Sequence, residues 1–338
     1  VLYNELGDKM IEEKIVNWYR INKRNLPFRS TNDPYLIWVS EVMAQQTRIE
    51  TMLPYYERWI KKYPTIINLA ASNIDDVLKS WEGLGYYRRA RYLHSGALFI
   101  QEKHNGIFPT SIESIREIPG IGDYTSAAIA SIVFKENTPA IDGNVIRVVS
   151  RISMIEENST SSKVRTMIKD IVSNWMYNVN SSDLTQGLME LGALICLPRN
   201  PKCDLCPLKR DCVARENNKQ NTIPIKSSKK GKSIHRYRTF ICTNDKEILV
   251  STEWSDGLMK GLYRLPQIEE KDATPFLVST YLGTTKHIYS HKIWVMDIYS
   301  AKGVFEIERQ SEWKWININD VQKLPWISAH RKILETYL

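Results

Sequence analysis

Apolar positions in the first two hundred residues recur at helical spacing. Ile11, Ile15, Trp18 and Tyr19 stand at i, i+4, i+7 and i+8, so they share one helix face. Similar spacing returns over Ile37–Met52 and Ile129–Val149, with turn signals such as Asn32-Asp33-Pro34 and Pro119-Gly120 between the runs. The sequence contains no fixed-period repeat. From Ala214 to Arg236 core-forming residues thin out, and Arg215, Lys219, Lys226, Lys229, Lys230, Lys232 and Arg236 face a single acid, Glu216. That stretch reads as a solvated linker. Beyond it, Glu247–Thr252, Lys292–Ser300 and Glu312–Ile318 are short runs rich in Ile, Val, Trp and Tyr, which predict strands, and a helix is expected near His330–Tyr337. The pattern predicts a mainly α domain over 1–213, a basic linker over 214–236 and a smaller α+β domain over 237–338.

Length agrees with that division, because 338 residues exceed what a single core usually serves. Lys and Arg outnumber Asp and Glu by 46 to 38, and the formal charge of +8 suits a polyanionic partner. The longest apolar stretch, Ser126–Phe134, falls far short of the roughly 20 residues that cross a bilayer. The chain opens without a charged-then-apolar leader, so an intracellular protein is expected, with no membrane association. With 43% hydrophobic and 25% charged residues, collagen-like, coiled-coil and disordered classes are excluded.

Cys196, Cys203, Cys206 and Cys212 are spaced C-x6-C-x2-C-x5-C, close enough to wrap one metal centre, while Cys242 stands alone in an expected strand as a small buried hydrophobe. Disulfides suit an intracellular chain poorly. Structural zinc is the stronger rival, although zinc ribbons usually pair two C-x2-C knuckles and only one is present. Ligand preferences favour a [4Fe–4S] cluster and leave zinc open. Arg199, Lys202, Lys209 and Arg210 stud the loop with cations that a phosphate backbone would meet.

Ile118-Pro119-Gly120-Ile121-Gly122-Asp123-Tyr124-Thr125 leads into an apolar helical run. Gly120 and Gly122 allow a tight turn, and the following helix would present amide groups to a phosphate; a plain helix–helix turn fits the same residues. Eighteen residues past Tyr124, Asp142 and Asn144 stand where a helix begins. They read as a helix cap, or Asp142 is a carboxylate held at the mouth of a cleft beside the hairpin.

Together these motifs resemble the helix-hairpin-helix DNA glycosylases of the endonuclease III superfamily, and within it the MutY family of adenine glycosylases. Trp38-Val39-Ser40-Glu41-Val42-Met43-Ala44-Gln45-Gln46-Thr47-Arg48 is similar to the family segment that bears a catalytic glutamate. Trp81-Glu82-Gly83-Leu84-Gly85-Tyr86-Tyr87-Arg88 and Leu188-Met189-Glu190-Leu191-Gly192-Ala193 match as well. Gly257-Leu258-Met259-Lys260-Gly261-Leu262-Tyr263-Arg264-Leu265-Pro266 and Tyr289-Ser290-His291 resemble the family's Nudix-like module. The resemblance implies a mainly α glycosylase domain with an iron–sulfur cluster loop, followed by an α+β Nudix-like domain.

It further implies a monomeric repair enzyme of the bacterial cytoplasm, associated with the nucleoid, that acts on double-stranded DNA carrying adenine mispaired with 8-oxoguanine. The adenine would be flipped into a pocket. Glu41 matches the general acid that protonates the leaving base, and Asp142 the carboxylate that stabilises the oxocarbenium-like sugar or joins it transiently. Burial is expected to raise the pKa of Glu41, while the helix start behind Asp142 favours its anion. Tyr124 stands where bifunctional relatives carry an imine-forming lysine, so lyase chemistry is not expected from it. Arg29 and Gln186 match contacts to the flipped adenine, Asn144 a helper of Asp142, Gln46 and Tyr86 wedges in the duplex, and Ser290, flanked by Tyr289 and His291, the reader of 8-oxoguanine. Read without the resemblance, Tyr86 is a core aromatic, and Arg29 and Gln186 are surface polar groups.

The chain departs from the family pattern at Phe28 (tryptophan is common), Ala44 (leucine), Gln186 (glutamate) and Tyr289 (phenylalanine). Each change keeps apolar or hydrogen-bonding character, so it bears on affinity more than on reaction type. Three other functions fit the residues less well. Nudix hydrolysis lacks its glutamate-rich helix, since Ile268-Glu269-Glu270-Lys271 leads straight to Pro275. A pyrimidine lyase is disfavoured by Tyr124 with Glu41, and a non-catalytic lesion binder by the presence of both Glu41 and Asp142.

Overall fold

In the computed structural model, which describes residues 10–226, 231–252, 259, 261–274, 276–289, 292–304 and 313–338, the first two hundred residues are almost wholly helical. The helices are α1 (Ile11–Asn22), α2 (Pro34–Ala44), α3 (Ile49–Lys62), α4 (Ile66–Ala70), α5 (Ile74–Ser80), α6 (Arg88–His104), α7 (Ile112–Glu117), α8 (Asp123–Ile132), α9 (Gly143–Ile152), α10 (Ser162–Met176), α11 (Ser181–Leu194) and the short α12 (Val213–Glu216). The strands β1 (Ser233–Cys242), β2 (Glu247–Ser251), β3 (Gln267–Glu269), β4 (Phe276–Ile288), β5 (Lys292–Val304) and β6 (Trp313–Asn317) follow, and α13 (Ser328–Tyr337) comes last.

The expected face of α1 is the one that packs. Ile15 and Tyr19 are buried, with Ile11 and Trp18 against the same core. Two apolar runs that read as continuous are each broken. Ile37–Met52 divides between α2 and α3, where Gln46 adopts φ 57°, a left-handed conformation that ends a right-handed helix. Ile129–Val149 divides between α8 and α9, and Asp142 caps the second of these. Period alone cannot see such breaks, because the residues on both sides remain apolar.

The chain groups into two compact units, Val1–Gln46 with Thr65–Ile67 and Ser95–Ser228, and Thr47–Pro64 with Asn68–His94 and Lys229–Leu338. The first centres on α1, α9, α10 and α11, whose Ile, Val and Leu side chains form one core. Gly187 lets α11 approach α1, since a Cβ there would stand 2.9 Å from Ile15 Cγ2. Past α12 the chain still packs in this unit: Ala214 and Ile223 are buried, and Arg151 Nε donates to Ile223 O at 2.8 Å.

The second unit joins α3 and α5 with the strands. Its four-stranded sheet has the order β3-β1-β5-β4, with β1 parallel to β5 and the other pairs antiparallel; β2 and β6 form a separate antiparallel pair. The expected strands are present as β2, β5 and β6. β1 begins within the basic stretch, its first four residues polar or exposed, which is why composition alone assigns them to a linker. Phe240, Cys242, Leu249, Phe276 and Ala301 form one core cluster of this unit, with Cys242 a buried hydrophobe as expected.

Candidate functional site

α2 starts where its turn signal places it. Asp33 accepts from Tyr35 N at 2.8 Å and Leu36 N at 3.4 Å, and Pro34 occupies the first turn. Trp38, Val39, Val42 and Met43 are buried and set the helix rotation. Glu41 is partly covered and meets Tyr124 in the first turn of α8, whose hydroxyl donates to Glu41 Oε2 at 2.7 Å. Burial pushes the Glu41 carboxyl up to about 7; the Tyr124 hydrogen bond opposes the shift, the charge of Asp142 adds to it and Arg29 opposes it. Burial, with Glu41 and Asp142 nearby, also holds the Tyr124 phenol well above its ordinary value.

Asp142 caps α9. Its Oδ1 accepts from Asn144 N at 2.8 Å and Val145 N at 2.7 Å, and its Oδ2 accepts from Asn144 Nδ2 at 2.7 Å. Three donors and a helix start favour the anion, as expected, yet burial outweighs them and the carboxyl is raised above its ordinary value. The expectation of a lowered Asp142 therefore gives way to two raised carboxyls, because desolvation is the larger effect. Arg147 Nη2 donates to Asn144 Oδ1 at 2.8 Å and to Gly192 O at 2.7 Å, and its Nε donates to Cys196 O at 2.7 Å. A Cβ at Gly192 would stand 2.5 Å from the Asn144 Cβ, so only glycine lets α11 close on the cap.

Arg29 is not a loose surface group. Its guanidinium donates to both oxygens of Glu190, at 2.7 and 2.6 Å, and Arg24 grips the same carboxylate at 2.9 and 2.8 Å. Glu190 is 1% exposed; burial would raise it, but the hydrogen bonds from Arg29 and Arg24 win and bring it down to about 2. Gln186 accepts from Tyr19 OH at 2.9 Å, and the Arg29 cation lies 5.7 Å from the Tyr19 ring. Arg29, Glu41, Tyr124, Asp142, Asn144 and Gln186 thus belong to connected parts of one unit. Glu190, Arg24 and Arg147 are the residues that sequence reasoning missed. The available signal was an acid set inside the apolar run Leu188–Leu191.

Gly120 has φ 84° at the turn between α7 and α8, and both it and Gly122 are exposed while Ile118 and Ile121 anchor the turn. Gly122 leaves the start of α8 without a side-chain cap. Gln46 and Tyr86 share an uncommon feature: both are non-glycine residues in left-handed backbone, at φ 57° and 50°. Tyr86 is 44% exposed, so it is not a core aromatic. Tyr289 N donates to Lys292 O at 2.8 Å, which closes the β4–β5 hairpin, and its ring lies 4.9 Å from Trp294. Ser290 and His291 lie outside the described residues.

Cys196, Cys203, Cys206 and Cys212 are free thiols that line one cavity together with Arg151 and Lys209. Arg151 Nη1 donates to Cys196 Sγ at 3.2 Å. Burial pushes the Cys206 thiol up to about 12 and raises Cys203 and Cys212, a state that a bound cation reverses. Among the described residues, no three His, Cys, Asp or Glu side chains gather tightly enough to hold a single metal ion. No helix among the described residues is long and apolar enough to cross a membrane.

Residues 39–174 match the HhH-GPD superfamily of base excision DNA repair proteins, and residues 238–336 match the NUDIX domain. An adenine DNA glycosylase of Buchnera aphidicola subsp. Baizongia pistaciae is 33% identical over 327 residues, covering 92% of this chain and 92% of its own. The chain belongs to the adenine DNA glycosylase family. Its relative from Rattus norvegicus is 39% identical over 225 residues, covering 64% of this chain and 44% of that protein. A solved thermostable thymine-DNA glycosylase aligns with a TM-score of 0.56 at 25% identity, over 61% of this chain and 95% of that one. Glu41, Tyr124, Asp142 and Asn144 of this adenine glycosylase family member all fall inside the region matched to the HhH-GPD superfamily.

Proposed function

We propose that the chain is a monofunctional glycosylase that binds duplex DNA as a monomer and removes adenine mispaired with 8-oxoguanine, with A:G as a second substrate. The observation that carries this is the Tyr124 hydroxyl 2.7 Å from Glu41 Oε2, which leaves the other carboxyl oxygen of Glu41 to hold an acid proton near neutral pH. Protonated Glu41 gives that proton to N7 of the flipped adenine, and the bond from the base to C1′ breaks with its electrons leaving on the base. Ionised Asp142, oriented by Asn144, stabilises the positive sugar from across the pocket or joins it transiently. Water then adds to C1′, and its proton passes to a carboxylate. Tyr124 orients Glu41 and forms no imine, so the product is an intact abasic strand.

Around that chemistry, Arg29 and Gln186 hold the base, with Arg29 aimed by Glu190. Gly120 and Gly122 expose the first amides of α8 to a backbone phosphate. Gln46 and Tyr86 enter the duplex as wedges, and Tyr289, Ser290 and His291 read 8-oxoguanine. The functional division follows the boundaries 1–213, 214–236 and 237–338. Cys196, Cys203, Cys206 and Cys212 line one cavity and offer four soft thiol donors, a donor set that suits a [4Fe–4S] cluster. When bound, such a cluster supplies a rigid template for the cationic loop of Arg199, Lys202, Lys209 and Arg210. The reading places the protein in the bacterial cytoplasm at the nucleoid.

Single-turnover base release from duplexes bearing A opposite 8-oxoguanine, A opposite G and thymine glycol opposite A tests this, with an alkali step to reveal abasic sites. Adenine release fastest opposite 8-oxoguanine, lost by at least about 100-fold in Asp142→Asn with binding retained, is the expected result. Thymine glycol excision without adenine release overturns the substrate assignment.

A further inference from the structure

The second unit holds a part-buried charged cluster beside Tyr86 that the reaction does not use. Glu82 Oε1 accepts from Arg331 Nε at 3.1 Å and from Trp326 N at 3.2 Å, while Oε2 accepts from Arg331 Nη2 at 3.2 Å and Lys79 Nζ at 2.6 Å. The side chains of Glu82 and Arg331 are only 15% and 13% exposed. Lys79 Nζ also donates to Leu324 O at 3.0 Å. On the other side of Tyr86, Tyr87 donates to Trp326 O at 3.2 Å and accepts from Gly83 N at 3.3 Å.

Residues on both sides of Tyr86 are therefore tied to one short segment at the end of the chain. That segment lies within the Nudix-matching region and is bound to an earlier part of it, with Tyr263 N donating to Pro325 O at 2.8 Å and Ile327 N to Tyr263 O at 3.1 Å. The loop itself contains Gly83 at φ 96°, Gly85 at φ 75° and Tyr86 at φ 50°. A sequence of this kind samples many conformations unless its surroundings over-determine one. A carboxylate gripped by a bidentate arginine, a lysine and a backbone amide supplies that constraint.

We propose that Glu82 and Arg331 are positioning residues that lock the Tyr86 loop to the C-terminal segment, so that lesion reading and wedge insertion act together. This rests on the reading of Tyr86 as a wedge and of the C-terminal region as the lesion reader. Neither residue touches the adenine. Their contribution is to discrimination between 8-oxoguanine and guanine, made through the placement of Tyr86.

Full-length Glu82→Gln and Arg331→Lys, each alone and combined with Tyr86→Ala, test this by single-turnover adenine excision opposite 8-oxoguanine and opposite G. Thermal unfolding reports whether each variant is folded, and Arg331→Lys retains a cation should Glu82→Gln unfold. Preference for 8-oxoguanine is expected to fall about tenfold in each single variant. The saturating rate opposite G should stay within about twofold, and neither variant should reduce the preference further once Tyr86 is alanine. Losses that multiply with Tyr86→Ala overturn the proposal, because the cluster would then act independently of the wedge. A wild-type preference that survives both variants overturns it alone. Wild type without any preference overturns the functional reading and this inference with it.

Discussion

Tyr124 donates its phenolic hydrogen to Glu41 Oε2 across 2.7 Å, joining the start of α8 to the last turns of α2. The bond works in two directions. It orients the carboxyl, and it favours the ionised form that burial disfavours. Which effect wins sets the protonation state available at neutral pH, and burial wins.

The pH dependence follows from that balance. Glu41 must carry a proton to act as the acid, and its carboxyl is pushed up to about 7, so base release should be full below that value and fall as pH rises through it. Tyr124→Phe removes the interaction that lowers Glu41, so this limb should move to higher pH while the rate drops about tenfold through lost orientation. Glu41→Gln should abolish the limb. It should also stabilise the fold at pH 8 by on the order of 2 kcal/mol, because the folded protein no longer holds a buried ionised carboxyl. A pH–rate profile with no titration removed by Glu41→Gln would count against the acid role.

Gly192→Ala tests the closeness of α11 to the Asp142 cap. The added methyl would meet the Asn144 Cβ at 2.5 Å and its Cα at 3.1 Å, forcing Asn144 aside and releasing its hydrogen bond to Asp142. Excision should slow by about 10- to 100-fold while affinity for the duplex changes little. Equal loss of affinity and rate would show that the site is not displaced selectively.

Glu190→Gln leaves the Arg24 and Arg29 guanidiniums facing a neutral amide in a buried setting. Breaking such a pair costs about 3 kcal/mol, and the variant should unfold at a markedly lower temperature. At temperatures where it stays folded, adenine excision should weaken in KM as Arg29 loses its aim. Unchanged unfolding would show that the Glu190 network carries little stability.

Elemental analysis of the purified chain should find iron at about four atoms per molecule. Cys203→Ser should lower the iron content and loosen the cationic loop, weakening duplex binding more at low salt than at high salt. Zinc at about one atom per chain, with no iron, would replace the cluster by a structural zinc.

Much of this protein was legible in its residues before any contact was known. Helical period located α1, alternation and β-branched content located β2, β5 and β6, and Asn32-Asp33-Pro34 marked the start of α2. Asp142 was open to two readings, a helix cap or a carboxylate at a cleft, and the structure shows the cap. The C-x6-C-x2-C-x5-C spacing put four thiols on one cavity because short loops cannot carry them apart. Local pattern missed the break at Gln46 and the strand β1 inside a basic stretch, since backbone handedness and strand pairing leave no trace in composition.

The sequence by itself determined which segments are helix or strand and which residues carry acid, cation and thiol chemistry, because those follow from local spacing and side-chain type. The tertiary structure alone decided that Glu41, Tyr124 and Asp142 act on one another from three helices, that Arg29 is held by Glu190, and that Asp142 rises where a helix start would lower it. Those outcomes depend on how much water each carboxyl loses and on contacts up to 166 residues apart, as between Arg24 and Glu190. Desolvation and long-range pairing are properties of the packed interior, and no window of sequence contains them.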